Sequence, residues 1–250
     1  MAKFSERLDK LLVDKGYAPT RERAQSLVLA AKVTVNGHIL TKAGQKVPLD
    51  SELHILEDPI PYVSRGGLKL EHAIRSFSIE VSGRTAMDVG ASTGGFTDCL
   101  LSLGARRVYA VDVGYGQLAL KLRNDARVIA IERTNIRYLP AELVTEPIEV
   151  VTIDTSFISL KLVIPSVLKF LEDEAVLVAL IKPQFEAGRE QASRGKGVIR
   201  DPRIHEEICG AMAEFAARLG FEVIGIVPSP ILGPKGNREF LMAATASKNR

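Results

Sequence analysis

The residues best placed to do chemistry stand at the ends of apolar runs. Thr85-Ala-Met-Asp-Val-Gly-Ala-Ser-Thr-Gly-Gly-Phe-Thr-Asp98 reads as a short buried strand, a turn of small residues and the first turn of a helix. Gly90, Gly94 and Gly95 let backbone approach a ligand closely, with Ser92, Thr93 and Phe96 among them. The turn holds no lysine and lacks the G-x-G-x-x-G spacing, so it matches neither a P-loop nor a dinucleotide fingerprint. Asp88 is the informative residue. A carboxylate ahead of the glycines repels a pyrophosphate but suits a cationic or hydroxyl-rich ligand, which favours S-adenosylmethionine over a dinucleotide.

Asp112 closes the next apolar run, Arg107-Val-Tyr-Ala-Val-Asp, with Val113 beside it. An acid about 20 residues beyond a glycine turn is where a nucleoside ribose finds its acceptor. Because Gly114 follows, a turn-capping role for Asp112 is the alternative. Asn135, just past the third run, either approaches an adenine or closes a turn. Asp154 ends Glu149-Val-Val-Thr-Ile-Asp, and Lys182 ends Ala175-Val-Leu-Val-Ala-Leu-Ile-Lys. Ligands of open α/β sheets bind outside the carboxyl ends of the strands. Four charged residues at successive strand ends, Asp88, Asp112, Asp154 and Lys182, therefore point to one site.

The elements that must position them alternate strand and helix from residue 85 onward, which predicts an α/β fold. Glu222–Val227 and Arg238–Ala244 finish the pattern as a hairpin-like pair. That ending is typical of class I, Rossmann-like methyltransferases, whose seven-stranded mixed sheet takes its last strand antiparallel. Upstream, Leu68, Leu70, Ala73, Ile74 and Phe77 form an apolar helical stripe, and Lys69 lies off it, reading as a surface lysine on pattern alone.

The first 58 residues follow a different plan. Leu8, Leu11 and Leu12 mark a helix with Ser5 expected as its N-cap and Gly16 as its stop. Thr20 caps a second helix with Ala24, Leu27, Val28 and Ala31 on one face. Val33-Thr-Val-Asn-Gly then gives a hairpin signal, with Val47, Leu53 and Ile55 as further strand material. Arg7, Lys10, Arg21, Arg23 and Lys32 group around the helices, as a solvated face or a phosphate-binding one. Two prolines in Glu57–Tyr62 mark a connector, so the expected organisation is a small domain over 1–58, a linker over 59–64 and a large domain over 65–250.

A chain with 46% hydrophobic and 25% charged residues has the apolar mass for a real core, and a net charge of +3 permits a nucleic-acid partner without demanding one. The two cysteines, Cys99 and Cys209, read as buried reduced thiols. The four histidines show no metal-ligand spacing, so no metal is expected. No secretory leader is evident, and the longest apolar run, Ala175–Ile181, is far short of the roughly 20 residues that span a bilayer. A soluble cytoplasmic protein without membrane association is the expectation.

Residues 5–56 resemble the S-four-type RNA-binding domain, in Arg7-Leu-Asp-Lys-Leu-Leu, Thr20-Arg-Glu-Arg-Ala-Gln-Ser-Leu-Val and Val33-Thr-Val-Asn-Gly. Ala31 departs from that pattern, standing where a glycine usually precedes Lys-Val. Nearly the whole chain resembles the TlyA family, in which such a domain is fused to an FtsJ-like ribose methyltransferase. Tyr62-Val-Ser-Arg-Gly-Gly-Leu-Lys-Leu, the Asp88–Asp98 turn, Asp154-Thr-Ser-Phe-Ile-Ser, Leu180-Ile-Lys-Pro-Gln-Phe-Glu and Gly233-Pro-Lys-Gly-Asn-Arg-Glu carry the likeness. The resemblance implies a catalytic tetrad of Lys69, Asp154, Lys182 and Glu239, and S-adenosylmethionine-dependent 2′-O-methylation of cytidine in ribosomal RNA.

Such a tetrad suits the chemistry. A ribose hydroxyl is a weak nucleophile that needs an aligned proton acceptor. Burial and a second ammonium favour a neutral lysine, while neighbouring carboxylates oppose it. Lys182 is the expected base, the other three orienting it. The Arg-rich stretch Glu186–Arg203, with Arg189, Arg194 and Lys196, is expected to cover the substrate side and, with Arg65, to meet RNA phosphates. Ribosomal RNA or a ribosomal subunit is the expected partner. The short flanks of the chain favour the large subunit. Two alternatives stay open: a haemolysin-like membrane-active protein, and a non-catalytic RNA-binding assembly factor. A nicotinamide-dependent dehydrogenase is weakened by the missing fingerprint.

Overall fold

A computed structural model describes residues 5–29, 31–56, 60–187 and 197–246. Internal contacts divide the chain between Pro61 and Tyr62 into two units.

The first unit runs β1 (Ser5–Arg7), α1 (Leu8–Asp14), α2 (Arg21–Leu29), β2 (Val33–Val35), β3 (His38–Ile39), β4 (Lys46–Pro48) and β5 (Leu53–Ile55). β2 is the centre of a three-stranded antiparallel sheet, with β3 and β5 on its two sides. Asn36 and Gly37 take φ of +51° and +79°, the positive pair that a two-residue hairpin turn requires. Leu8, Leu12, Val28, Val33 and Leu53 form the core between helices and sheet.

Ser5 is not an N-cap, contrary to the expectation. It pairs with Pro48 in the β1–β4 ribbon, and α1 begins at Leu8 without a capping side chain. The physical reason lies in the neighbouring backbone: Gln45 O and Ala43 O accept the otherwise orphaned N–H groups of Leu8 and Asp9, at 2.8 and 3.0 Å. Ala31, at the usual glycine position, adopts φ +58°, so the turn keeps its left-handed shape with the wrong residue in it.

The second unit is built on a seven-stranded sheet. Its strands are β6 (Thr85–Val89), β7 (Arg107–Val111), β8 (Val128–Ile131), β9 (Ile148–Ile153), β10 (Leu171–Ile181), β11 (Phe221–Pro228) and β12 (Phe240–Ala246), in the order β11-β12-β10-β9-β6-β7-β8. β12 is antiparallel to both of its neighbours, whereas β10, β9, β6, β7 and β8 run parallel. This is the mixed sheet that the strand pattern predicts.

The helices are α3 (Gly66–Ser76), α4 (Gly95–Ser102), α5 (Leu120–Arg123), α6 (Leu160–Val167), α7 (Pro183–Glu186) and α8 (Pro202–Arg218). Alternate residues of the strands feed two cores. Met87 and Val89 join Leu160, Ile164 and Met212 in one, while Ala86 and Val178 join Leu70, Ala73 and Leu100 in the other. Both faces of β6 are therefore covered, and all five of its residues are buried. β10 begins earlier than the apolar run suggests, at Leu171, with a register shift before Val176 and Glu174 at φ +61°.

Candidate functional site

The turn after β6 is shaped by backbone rather than by side chains. Gly90, Ser92 and Gly94 all have positive φ, at +87°, +50° and +96°. A Cβ at Gly90 would stand 2.7 Å from Asp154 O, so the glycine is what lets β6 and β9 end side by side. A Cβ at Gly95 would strike Ser64 Oγ, so the start of α4 sits directly against the start of α3. That close approach draws Lys69, one turn into α3, to the carboxyl edge of the sheet. Gly94 faces the other way, toward Leu118 and Leu122, and does not line the cavity as expected.

Asp88 also needs correction. It is fully buried below the turn and lines neither cavity described below. Its carboxyl accepts from Thr97 Oγ1 at 2.7 Å and Thr152 Oγ1 at 3.3 Å. Burial pushes it up to about 7, against the pull of the hydroxyls and helped by the charge of Asp154. Asp88 is thus a buried tie between β6, β9 and α4, and the sequence misled because a carboxylate reads as solvent-facing until its partners are known.

Two cavities meet along the carboxyl ends of β6 and β9, sharing Gly90, Ser92, Asp154 and Ser156. The first, of about 430 Å³, is polar and is lined by Arg65, Lys69, Thr93, Gly95, Phe96, Asp154, Lys182 and Glu239. The second, of about 480 Å³, is lined by Asp112, Val113, Asn135, Ile136, Ile158 and Val163. Asp112 accepts from Ser92 N at 2.8 Å and Gly114 N at 2.6 Å, tying two loops while its carboxylate borders the cavity. Asn135 does close a turn, accepting from Arg137 N at 3.1 Å, and it lines the same cavity.

The four residues of the implied tetrad come together. Lys69 Nζ donates to Glu239 Oε2 at 2.5 Å, and Lys182 Nζ stands 2.6 Å from Asp154 Oδ1. Lys69, Lys182 and Glu239 are buried, Lys69 included, although helical periodicity alone put it on the surface. Its head reaches a carboxylate 170 residues away in sequence. Gly233 makes room for that carboxylate, since a Cβ there would overlap it.

Several lining residues carried no role in the sequence reading: Ser64, Thr155, Ser156 and Phe157. Phe157 is 91% exposed, at φ +64°, and rests on Phe185 with ring centroids 5.1 Å apart. Non-glycine residues at positive φ cluster at functional sites, and that is the signal that marks it. Ser156 was visible only as a serine two positions past Asp154.

In the first unit the basic residues are partly spoken for. Asp9, fully buried, accepts from Arg7 at 3.0 and 2.9 Å, from Arg21 at 3.0 Å and from Gln25 at 2.8 Å. The Arg7 guanidinium, with Gln25 and Arg21, holds the Asp9 carboxyl well below the usual carboxylate range. Lys10 pairs with Glu6 at 2.6 Å; Arg23 and Lys32 are half-buried. The guanidiniums of Arg7 and Arg21 stay about half exposed, fixed in direction rather than hidden. Arg189, Arg194 and Lys196 lie outside the described residues. Arg200 and Arg203, at the end of the same stretch, are exposed.

Comparison with known proteins places these features. Residues 62–246 match the FtsJ-like methyltransferase model and residues 6–53 the S4 domain model. YqxC of Bacillus subtilis, provisionally named an rRNA methyltransferase, is 48% identical over 97% of this chain and 86% of its own length. The 16S/23S rRNA (cytidine-2′-O)-methyltransferase TlyA of Mycobacterium tuberculosis is 43% identical over 94% of this chain and 88% of its own. A solved structure from Streptococcus thermophilus with a provisional hemolysin label superposes with a TM-score of 0.78 at 45% identity, covering 99% of this chain and 90% of that one. No helix among the described residues is long and apolar enough to cross a membrane. Domain order, sheet topology and near-full-length similarity agree, and the chain belongs to the FtsJ-like methyltransferase family, in the branch that carries an S4 domain ahead of the catalytic unit.

Proposed function

We propose that this chain transfers a methyl group from S-adenosylmethionine to the 2′-hydroxyl of cytidine in ribosomal RNA. The observation that carries the reading is the meeting of two lysine–carboxylate pairs, three of their four residues buried, beside a glycine-turn cavity at the carboxyl edge of the sheet. The relatives' names supply the nucleotide and the RNA class.

The residues present fit the cofactor. The second cavity offers the apolar wall a nucleobase needs, from Val113, Ile136, Ile158 and Val163, with the Asp112 carboxylate at its border for ribose hydroxyls. Thr155 Oγ1, which borders that cavity, and Glu239 Oε1, in the polar one, are buried and lack a hydrogen-bond partner among the described residues, as groups awaiting a ligand would be. Gly90, Ser92, Thr93, Gly95 and Phe96 would flank the amino-acid end. When bound, S-adenosylmethionine supplies a methyl group on a sulfonium, activated for displacement.

The chain's own residues handle the proton and the alignment. The Lys182 amine would take the proton of the 2′-hydroxyl as that oxygen accepts the methyl group the cofactor would supply. Asp154 holds Lys182, and Glu239 holds Lys69, whose ammonium lies close enough to the polar cavity to orient the ribose. Arg65, exposed at the rim, and Arg7, Arg21, Lys10, Arg23 and Lys32 of the first unit meet RNA phosphates. Arg189, Arg194 and Lys196 belong to the same proposal by charge alone.

Lys182→Ala tests the assignment. S-adenosylmethionine affinity measured by calorimetry should stay within about threefold of the parent while methyl transfer falls by roughly two orders of magnitude or more. Turnover near the parent level would refute the role of Lys182.

A further inference from the structure

Lys182 and Lys69 differ in how their amino groups are held. Lys69 Nζ is gripped from one side, by Glu239. Lys182 Nζ has Asp154 Oδ1 at 2.6 Å and also donates to Ser156 Oγ at 2.9 Å. A neutral amine has two N–H bonds and one lone pair. One N–H is directed at Ser156 Oγ, whereas the contact with Asp154 Oδ1 is an ion pair without hydrogen-bond geometry, and Lys182 and Ser156 both line the polar cavity. The Phe185 ring, its centroid 5.9 Å from Nζ, is too far to serve as a hydrogen-bond partner.

We infer that Ser156 is a positioning residue that aims the Lys182 lone pair at the hydroxyl to be methylated. This rests on the reading of Lys182 as the base. Asp154 alone would leave the amine free to turn about the Cε–Nζ bond. The directed hydrogen bond to Ser156 Oγ limits that rotation, and misdirection of a base is what geometry-dependent proton transfer tolerates least.

The loop that carries Ser156 is fixed along its length. Asp154 N donates to Val89 O at 2.9 Å, which sets the loop's start against β6. Phe157, the next residue after Ser156, turns the backbone at φ +64° and lays its ring on Phe185. Glu186 accepts from Ser159 Oγ at 2.5 Å and from Leu160 N at 2.8 Å, closing the loop at its far end. Phe185 and Glu186 belong to α7, which directly follows Lys182. The element that presents the base therefore also anchors the loop that orients it.

The test uses the full chain with Ser156→Ala, Ser156→Thr and Lys182→Ala, on isolated ribosomal RNA with labelled S-adenosylmethionine. Ser156→Ala should lower kcat by about tenfold to a hundredfold. The Kd for S-adenosylmethionine by calorimetry and the KM for RNA should change by no more than about twofold. Ser156→Thr, which keeps the hydroxyl, should recover most of the lost kcat. The inference is overturned if Ser156→Ala keeps the parent kcat, if cofactor affinity falls in step with kcat, or if Thr is no better than Ala. A live Lys182→Ala enzyme sinks the underlying reading instead. A dead Lys182→Ala beside an unimpaired Ser156→Ala sinks the orienting role alone.

Discussion

Asp88→Asn should make the protein more stable above neutral pH and change little in acid. The Asp88 carboxyl is fully buried, receives hydroxyl hydrogen bonds from Thr97 and Thr152, and is pushed by burial from 3.8 up to about 7. Its folded-state affinity for a proton exceeds that of the unfolded chain. The stability it contributes is complete below about pH 4 and is lost as the pH rises through 7. A shift of about three units at 1.36 kcal/mol each gives a ceiling of about 4 kcal/mol, of which about 3 falls between pH 5 and 8. Asparagine has the shape and hydrogen-bonding balance of the neutral acid, and it does not titrate. Urea unfolding of both proteins at pH 5, 6, 7 and 8 isolates the effect, because other titrating groups cancel in the difference. The Asn variant's advantage should grow steadily across the series. Parallel pH profiles would show that Asp88 is not held neutral by its surroundings, and the account of the turn's floor would be wrong.

Two further substitutions address other parts of the molecule. Ala31→Gly should tighten the first unit, because an L-residue at φ +58° costs roughly 1–2 kcal/mol and glycine returns part of that in chain entropy. A net gain of about 1 kcal/mol slows amide exchange at Leu27 and Val28 by about fivefold, and unchanged exchange would contradict the strain. Gly233→Ala inserts a Cβ where the Glu239 carboxylate sits. It should displace Glu239 from Lys69, lower kcat by about tenfold or more and cost about 1–3 kcal/mol of stability, while leaving cofactor affinity near the parent value. Full activity would mean the Lys69–Glu239 pair is dispensable.

What the sequence made legible was local. Asn36-Gly37 announces its hairpin because only a few residue types take two positive φ angles in succession. The strand ends at Asp112, Asp154 and Lys182 are visible because a charge stops an apolar run, and the β-alternation beyond Asp88 predicts the sheet they border. What stayed hidden depended on partners far along the chain. Ser5 looks like a cap until Pro48, on a strand 43 positions later, claims it. Lys69 looks exposed until Glu239 draws it inward. Asp88 looks ligand-facing until Thr97 and Thr152 close over it. Asp9 gave no signal at all: its arginine partners read as free cations, and only the fold shows two of them turned onto one buried carboxylate. The tetrad itself came from family resemblance, since no spacing rule links residues 69, 154, 182 and 239.

The central claim is the site of methylation. The direct measurement is to incubate the protein with tritiated S-adenosylmethionine and isolated ribosomal subunits lacking the modification, digest the RNA to nucleosides and identify the labelled one. The account predicts label in 2′-O-methylcytidine of ribosomal RNA, and its loss with Lys182→Ala. Label on a base, label confined to protein, or no transfer to either subunit by a folded, cofactor-binding enzyme would contradict it.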